Sequence, residues 1–114
     1  MENCTFCGIV SGKLPGKIVF KDERATAFHD IHPAGPTHIL IVPNKHIISV
    51  NDLVPEDEAL IGHLFTIARQ LAESECVDKS GYRLIVNTGR DANQTIFHLH
   101  MHLIGGQPAR YPMG

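Results

Sequence analysis

"HLHMHLIGG", residues 98–106, sets three histidines at every second position, puts apolar residues between and after them, and ends in a glycine pair. A period of two is the signature of a strand whose faces differ, so His98, His100 and His102 share one face while Leu99, Met101 and Leu103 point into a core. A three-histidine metal site is the first chemistry to weigh, and geometry opposes it. At about 3.3 Å per residue the outer two backbones lie roughly 13 Å apart, whereas each ligand nitrogen must come within about 2.1 Å of a zinc ion. A strand with a polar solvent face is the plain structural alternative, but three imidazoles in register ask for more than solvation. A row of imidazoles suits work on phosphate. The central one can be a nucleophile, because neutral imidazole keeps a free lone pair near pH 7. A neighbour can donate to the phosphoryl oxygens, where charge builds up.

Outward from this stretch the chain reads as alternating short elements. Just upstream, "NTGRDANQT" (87–95) is a Gly/Asn-rich turn able to offer backbone amides to an anion, and "YRLIVNTG" (82–89) and "IFHLHMHLIG" (96–105) read as strands. "THILIVP" (37–43) is a continuous, β-branched apolar run and predicts a buried strand after the turn-forming "HPAGP". "KIVFKD" (17–22) and "RATAFHD" (24–30) predict a hairpin, with Asp22 and Glu23 as turn residues and nothing more. From Pro55 to Glu75 the period becomes helical. Leu60, Leu64, Ile67 and Leu71 form one stripe, and Ile61, Phe65, Ala68 and Ala72 a second beside it. Pro55 and the acids Glu56, Asp57 and Glu58 suit the start of that helix. A short helical turn is expected over 6–11. The sum is an α+β fold, a five-stranded, mainly antiparallel sheet with one long helix and a short N-terminal one.

Length and composition narrow the function. A chain of 114 residues predicts a single domain, 1–114, with a real core. Ten Lys plus Arg against twelve Asp plus Glu leave no basic face for nucleic acid. No apolar run reaches the length of a membrane span, and "MENCTFC" lacks the regions of a signal peptide, so a cytoplasmic protein is expected. Three cysteines argue against a disulfide framework, and eight histidines are the compositional outlier.

"HLHMHLI" together with "GRDANQTIFHLHMHLIGG" and "FHDIHPAGPTHILIVPNKHI" (28–47) resembles the histidine-triad (HIT) family over nearly the whole chain. The glycine pair and short length are similar to the branch of histidine-triad nucleotide-binding proteins, rather than to the diadenosine-polyphosphate hydrolases. That resemblance implies hydrolysis of nucleoside 5′-phosphoramidates, such as adenosine 5′-monophosphoramidate, through a covalent nucleotidyl-histidine. It also implies a homodimer, a purine nucleotide as ligand and no organic cofactor. Dinucleoside-polyphosphate hydrolysis, nucleotidyl transfer and nucleotide binding without turnover are the competing readings. Carried over residue by residue, His100 matches the nucleophile and His102 the residue holding the α-phosphate oxygens. His98 supports the nucleophile, and His38 is the fourth histidine of the site. Asn87, Gln94 and Thr95 match phosphate-side or leaving-group contacts. Asp30 matches the acid that takes the ribose hydroxyls, a task suited to a carboxylate. Phe6, Ile9, Phe28, His29 and Ile31 match the slot for the purine ring, although Phe6, Ile9 and Ile31 would be plain core in most sequences. The branch often ends in Trp-Pro-Pro-Gly; here Tyr111 stands in "RYPMG" in place of the Trp.

"CTFC" (4–7) is half of a zinc site or a redox pair. It lacks the surroundings of a thioredoxin motif, and a closed zinc site needs two further ligands. His46 and His98 are the candidates, as in many bacterial relatives, which would make zinc structural. Cys76 reads as an ordinary helix-end cysteine, and His32 and His63 as surface or satisfied positions.

Overall fold

The computed structural model describes residues 3–110; Tyr111 and the end of the tail lie outside them. The elements run α1 (Thr5–Ser11), β1 (Ile18–Lys21), β2 (Ala25–His29), β3 (Thr37–Pro43), α2 (Glu58–Ser74), β4 (Tyr82–Val86) and β5 (Met101–Gly105), with short 3₁₀ turns between. All neighbouring strands are antiparallel, in the order β1-β2-β3-β5-β4. The expected α+β fold is the observed one.

β3 is the central strand and is buried along its whole length, which is why it reads as an unbroken apolar run rather than an alternation. Its Ile39 and Ile41 join Ala25, Ala27, Met101 and Leu103 on one face of the sheet, against Leu64, Ile67, Ala68 and Leu71 of α2. Burying each of these large aliphatic side chains stabilises the fold by about 1.5–3 kcal/mol. On the opposite face Leu40, Val42 and Phe28 pack under Phe6 and Ile9 of α1. His38 and His102 lie on this second face, by the alternation along β3 and β5. The sheet therefore separates a helix-backed core from the imidazoles.

Three expected elements were clearly too long, β4 among them, which ends at Val86 and not at Gly89. The helix begins at Glu58, because Pro55–Asp57 forms a separate 3₁₀ turn; Phe65, in the second apolar stripe, is 52% exposed. The last strand begins at Met101, not Ile96. The β3–β5 ladder stops at Ile41↔Met101. One ladder step further, Leu99 would face Pro43, which has no N–H to give. Leu99 instead donates to the carbonyl of Ile47. His98 and His100 therefore precede the strand, and only His102 sits in it. The glycine pair closes β5 sterically. A Cβ at Gly105 would lie 3.1 Å from Val77, and Gly106 adopts φ +94° with Pro36 close by, a region that L side chains avoid.

The hairpin turn also does more than turn. Asp22 caps the N–H groups of Arg24 and Ala25, and its other oxygen lies 2.6 Å from His63 Nε2 on α2. Burial works against this carboxylate's charge, but His63 and the two amides outweigh it and hold the Asp22 pKa below its usual range.

Candidate active site and metal centre

His100 is 8% exposed, and its orientation is set by the backbone two residues earlier. Its Nδ1 lies 2.7 Å from the carbonyl oxygen of His98. A carbonyl can only accept, so Nδ1 carries the proton and Nε2 keeps the lone pair. Phe6 packs edge-on against this ring, with centroids 5.1 Å apart, and against Phe28 at 5.3 Å.

The second pair of imidazoles has its own direction. The N–H of Ala34 donates to His38 Nδ1 at 2.9 Å, and His38 Nε2 lies 2.9 Å from His102 Nδ1. A neutral His38 thus bears its proton on Nε2 and gives it to His102, which bears its own on Nε2. Burial, chiefly, lowers the pKa of His38, against the pull of Asp30. Burial also takes His102 down to about 4, helped by His100 and His38 and opposed by Asp30. Both rings are neutral near pH 7, so each has one proton to place. Asp30 reaches this pair with Oδ2 3.4 Å from His38 Nε2, while Oδ1 accepts from the backbone of His32.

The loop before the histidines is held from within. Asn87 Nδ2 donates to the carbonyl of Ala92, and the buried Gln94 side chain accepts from Gly89 N–H and donates to the carbonyls of Ile48 and Ile96. Asn93 takes φ 62°, a left-handed turn that asparagine tolerates. Thr95 is exposed and borders a cavity of about 410 Å³ together with Cys4, His46, Ile48 and Phe97. Of the residues matched to a purine slot, Phe6, Ile9 and Phe28 are buried, His29 is half-buried and Ile31 is 85% exposed.

Cys4, Cys7, His46 and His98 converge, their ligand atoms all within 4.8 Å of one another. Cys4 Sγ and Cys7 Sγ lie 3.3 and 3.4 Å from His98 Nδ1, and His46 Nδ1 is 3.2 Å from Cys7 Sγ. A tetrahedral zinc ion with ordinary Zn–S and Zn–N bonds would set such S···N edges at about 3.5 Å. The His98 ring is already in the required tautomer. Its Nε2 donates to the Pro43 carbonyl at 2.8 Å, which leaves Nδ1 as a lone pair facing the sulfurs. The four side chains fit zinc. Burial raises the Cys7 thiol pKa, with Cys4 adding to the shift, so a metal would have to displace that proton.

Asp30, His38 and His102 also lie within metal-ligand reach of one another, but hydrogen bonding opposes a metal there. Ligation through His38 Nε2 would move that ring's proton to Nδ1, against the donor N–H of Ala34. The two imidazoles form a hydrogen-bond chain from the Ala34 N–H, with the Asp30 carboxylate beside it.

Two of these partners, the Ala34 N–H and the Pro43 carbonyl, were not legible in the sequence. Both are backbone groups, one N–H and one C=O, that the side chain at the position does not encode.

The match to known proteins follows this geometry. Residues 11–109 match the HIT domain profile. The chain belongs to the histidine-triad family. It is 47% identical over 107 residues to the purine nucleoside phosphoramidase of Escherichia coli K12, covering 94% of this chain and 90% of that protein. Among solved structures, a HIT family hydrolase from Legionella pneumophila superposes with a TM-score of 0.95 at 41% identity, covering 98% and 100% of the two chains. A zinc-bound histidine-triad protein from Mycobacterium smegmatis superposes at 0.81 with 30% identity, covering 96% and 78%. Among the described residues, no helix of this HIT protein is long and apolar enough to cross a membrane.

Proposed function

We propose that this HIT-family hydrolase cleaves purine nucleoside 5′-phosphoramidates to the nucleoside monophosphate and an amine. The observation that carries the reading is the free lone pair on His100 Nε2, fixed by the Nδ1–H bond to the His98 carbonyl. In the first step Nε2 attacks phosphorus, a P–N bond to the ring forms, and the P–N bond to the amine breaks as the amine takes a proton from solvent, which the water of the second step returns. In the second step water attacks the nucleotidyl-His100, releasing the monophosphate and restoring the imidazole. His102 Nε2–H donates to a phosphoryl oxygen where charge accumulates. Asp30 accepts the ribose hydroxyls, and Phe6, Ile9, Phe28, His29 and Ile31 take the base. The exposure of Ile31 suits a surface that a ring would cover.

Thr95, exposed beside the loop, meets the phosphate or the leaving group. Asn87 and Gln94 act from within the loop, since their side chains are occupied by Ala92, Gly89, Ile48 and Ile96. His98 aligns the nucleophile through its carbonyl and holds zinc through its ring. Zinc, with Cys4, Cys7 and His46, supplies a structural cross-link between the N-terminal turn and the histidine segment.

We also propose a cytoplasmic homodimer that engages neither nucleic acid nor membrane. β4 is an edge strand with Tyr82 and Val86 partly exposed, and the exposed Phe65 on α2 offers a second apolar contact. The deciding assay compares turnover of adenosine 5′-phosphoramidate with that of diadenosine polyphosphates. Preference for the polyphosphate favours the other hydrolytic branch. Binding of AMP without turnover of either makes the protein a binding module.

A further inference from the structure

The hydrogen-bond chain from Ala34 to His102 has one proton with two claimants. His38 Nδ1 is occupied by the Ala34 N–H, so the ring's single proton sits on Nε2. There it faces His102 Nδ1 at 2.9 Å and Asp30 Oδ2 at 3.4 Å. The first distance is that of an ordinary N–H···N bond, while the second lies beyond the usual range and draws the proton mainly by charge. His102 Nε2 has no partner among the described residues, so its state depends on what His102 Nδ1 receives. A firm bond from His38 pins the His102 proton on Nε2. A diverted His38 proton releases it to the other nitrogen.

We propose that Asp30 and His38 are positioning residues that couple recognition of the ribose to the phosphate-donating state of His102. This rests on the phosphoramidase reading above. An unengaged Asp30 carboxylate competes for the His38 proton. A ribose diol donating two hydrogen bonds to Asp30 satisfies that charge, and His38 Nε2–H then donates fully to the unprotonated His102 Nδ1. His102 is thereby held as the Nε2–H donor when a ribonucleotide is in place. The sugar hydroxyls contribute to the chemical step as well as to binding, and ribonucleotide selectivity appears in kcat. No metal or covalent change is needed; only the sharing of one proton shifts.

Two measurements test this. The first compares kcat and KM for adenosine and 2′,3′-dideoxyadenosine 5′-phosphoramidates in wild type and Asp30→Asn. In wild type the dideoxy substrate should lose about tenfold in kcat at saturation, equivalent to about 1.4 kcal/mol in the barrier. In Asp30→Asn, with the competing charge gone, the two substrates should have nearly equal kcat. A dideoxy penalty confined to KM in wild type overturns the coupling while leaving the phosphoramidase reading intact.

The second measurement is ¹⁵N NMR of the histidine rings in the free protein, and it needs no substrate. His38 Nδ1 should be unprotonated throughout, while His102 should show a minor share of the Nδ1–H tautomer that adenosine, which has ribose but no phosphate, removes and dideoxyadenosine does not. A proton on His102 Nδ1 in the adenosine complex overturns the proposal. Absence of both adenosine binding and turnover overturns the nucleotide reading and this coupling with it.

Discussion

Gln94 tests whether the loop before the histidines is held as the geometry implies. The side chain is 5% exposed and makes three hydrogen bonds, at 2.9 Å from Gly89 N–H, 2.7 Å to the Ile48 carbonyl and 3.2 Å to the Ile96 carbonyl. Each such bond has a net worth of about 1 kcal/mol, and the longest is the weakest, so Gln94→Ala should cost about 2–3 kcal/mol. In a domain of this size that corresponds to a fall of about 10–15 °C in Tm. Gln94→Glu is the sharper probe. It keeps the volume and the acceptor for Gly89 N–H, but turns a second oxygen toward two carbonyls. It should be nearly as destabilising at pH 7 and should recover part of the loss in acid, where the protonated carboxyl can donate again. Urea unfolding at both pH values reads both effects. A Gln94→Glu protein as stable as wild type at pH 7 would refute the internal anchoring. A fully stable Gln94→Ala with raised KM would instead place the amide on the phosphate.

Four further outcomes are expected. His100→Ala should abolish turnover while nucleotide binding, measured calorimetrically, stays largely intact; substantial residual turnover would sink the covalent mechanism. Protein purified without added metal should carry about one zinc per chain by elemental analysis, and Cys4→Ser should lose it with a drop in Tm; metal-free protein of full stability would assign the cysteines elsewhere. His38 and His102 are held neutral by burial, so the unfolded chain takes up their protons first as pH falls. Stability should therefore fall from about pH 6.5 toward about 4, the level to which His102 is lowered, and a urea midpoint flat across that window would contradict the neutral pair. Light scattering at micromolar concentration should give twice the single-chain mass of 12.6 kDa.

The fold was legible where one physical signal dominated. "THILIVP" read as a buried strand because β3 is covered on both faces, and its expected and observed bounds agree. The four-residue zinc set was named from spacing and family likeness together, and the side chains do converge. What could not be read was where a pattern stops for a reason lying on another strand. "IFHLHMHLIG" alternates from Phe97 to Leu103, yet the ladder ends at Met101 because Pro43, far away in sequence, has no N–H to offer. Phe65 kept helical register and still faces outward, since register says which residues share a stripe and not how wide the covering sheet is. The Asp22–His63 pair joins two elements 41 residues apart, and neither partner carries a local sign of the other.

The early end of that strand explains how three evenly spaced histidines acquire three environments. On a regular strand their rings would lie in one row and see similar surroundings. Here His98 and His100 precede the ladder, so the His98 ring turns to Pro43 and the cysteines while its carbonyl remains to receive His100 Nδ1–H. One residue thus faces the two cysteines with its side chain and fixes the His100 tautomer with its backbone. His102, inside the ladder, is held beside His38 by the pairing of β3 with β5, which sets Leu40 opposite His102 and His38 opposite Ile104. The spacing of two places His100 where the carbonyl of His98 can accept its Nδ1–H. The boundary between irregular segment and strand divides the remaining imidazoles into a ring that faces the cysteines and a ring that faces His38. Moving that boundary by restoring an N–H at position 43 would lengthen the ladder and bring His98 toward the strand. Pro43→Ala should therefore loosen the zinc cluster before it touches the His38–His102 pair. Zinc affinity and the ¹⁵N signature of His102 would separate the two effects, and unchanged zinc affinity would show that the ladder's end is set by something other than the proline.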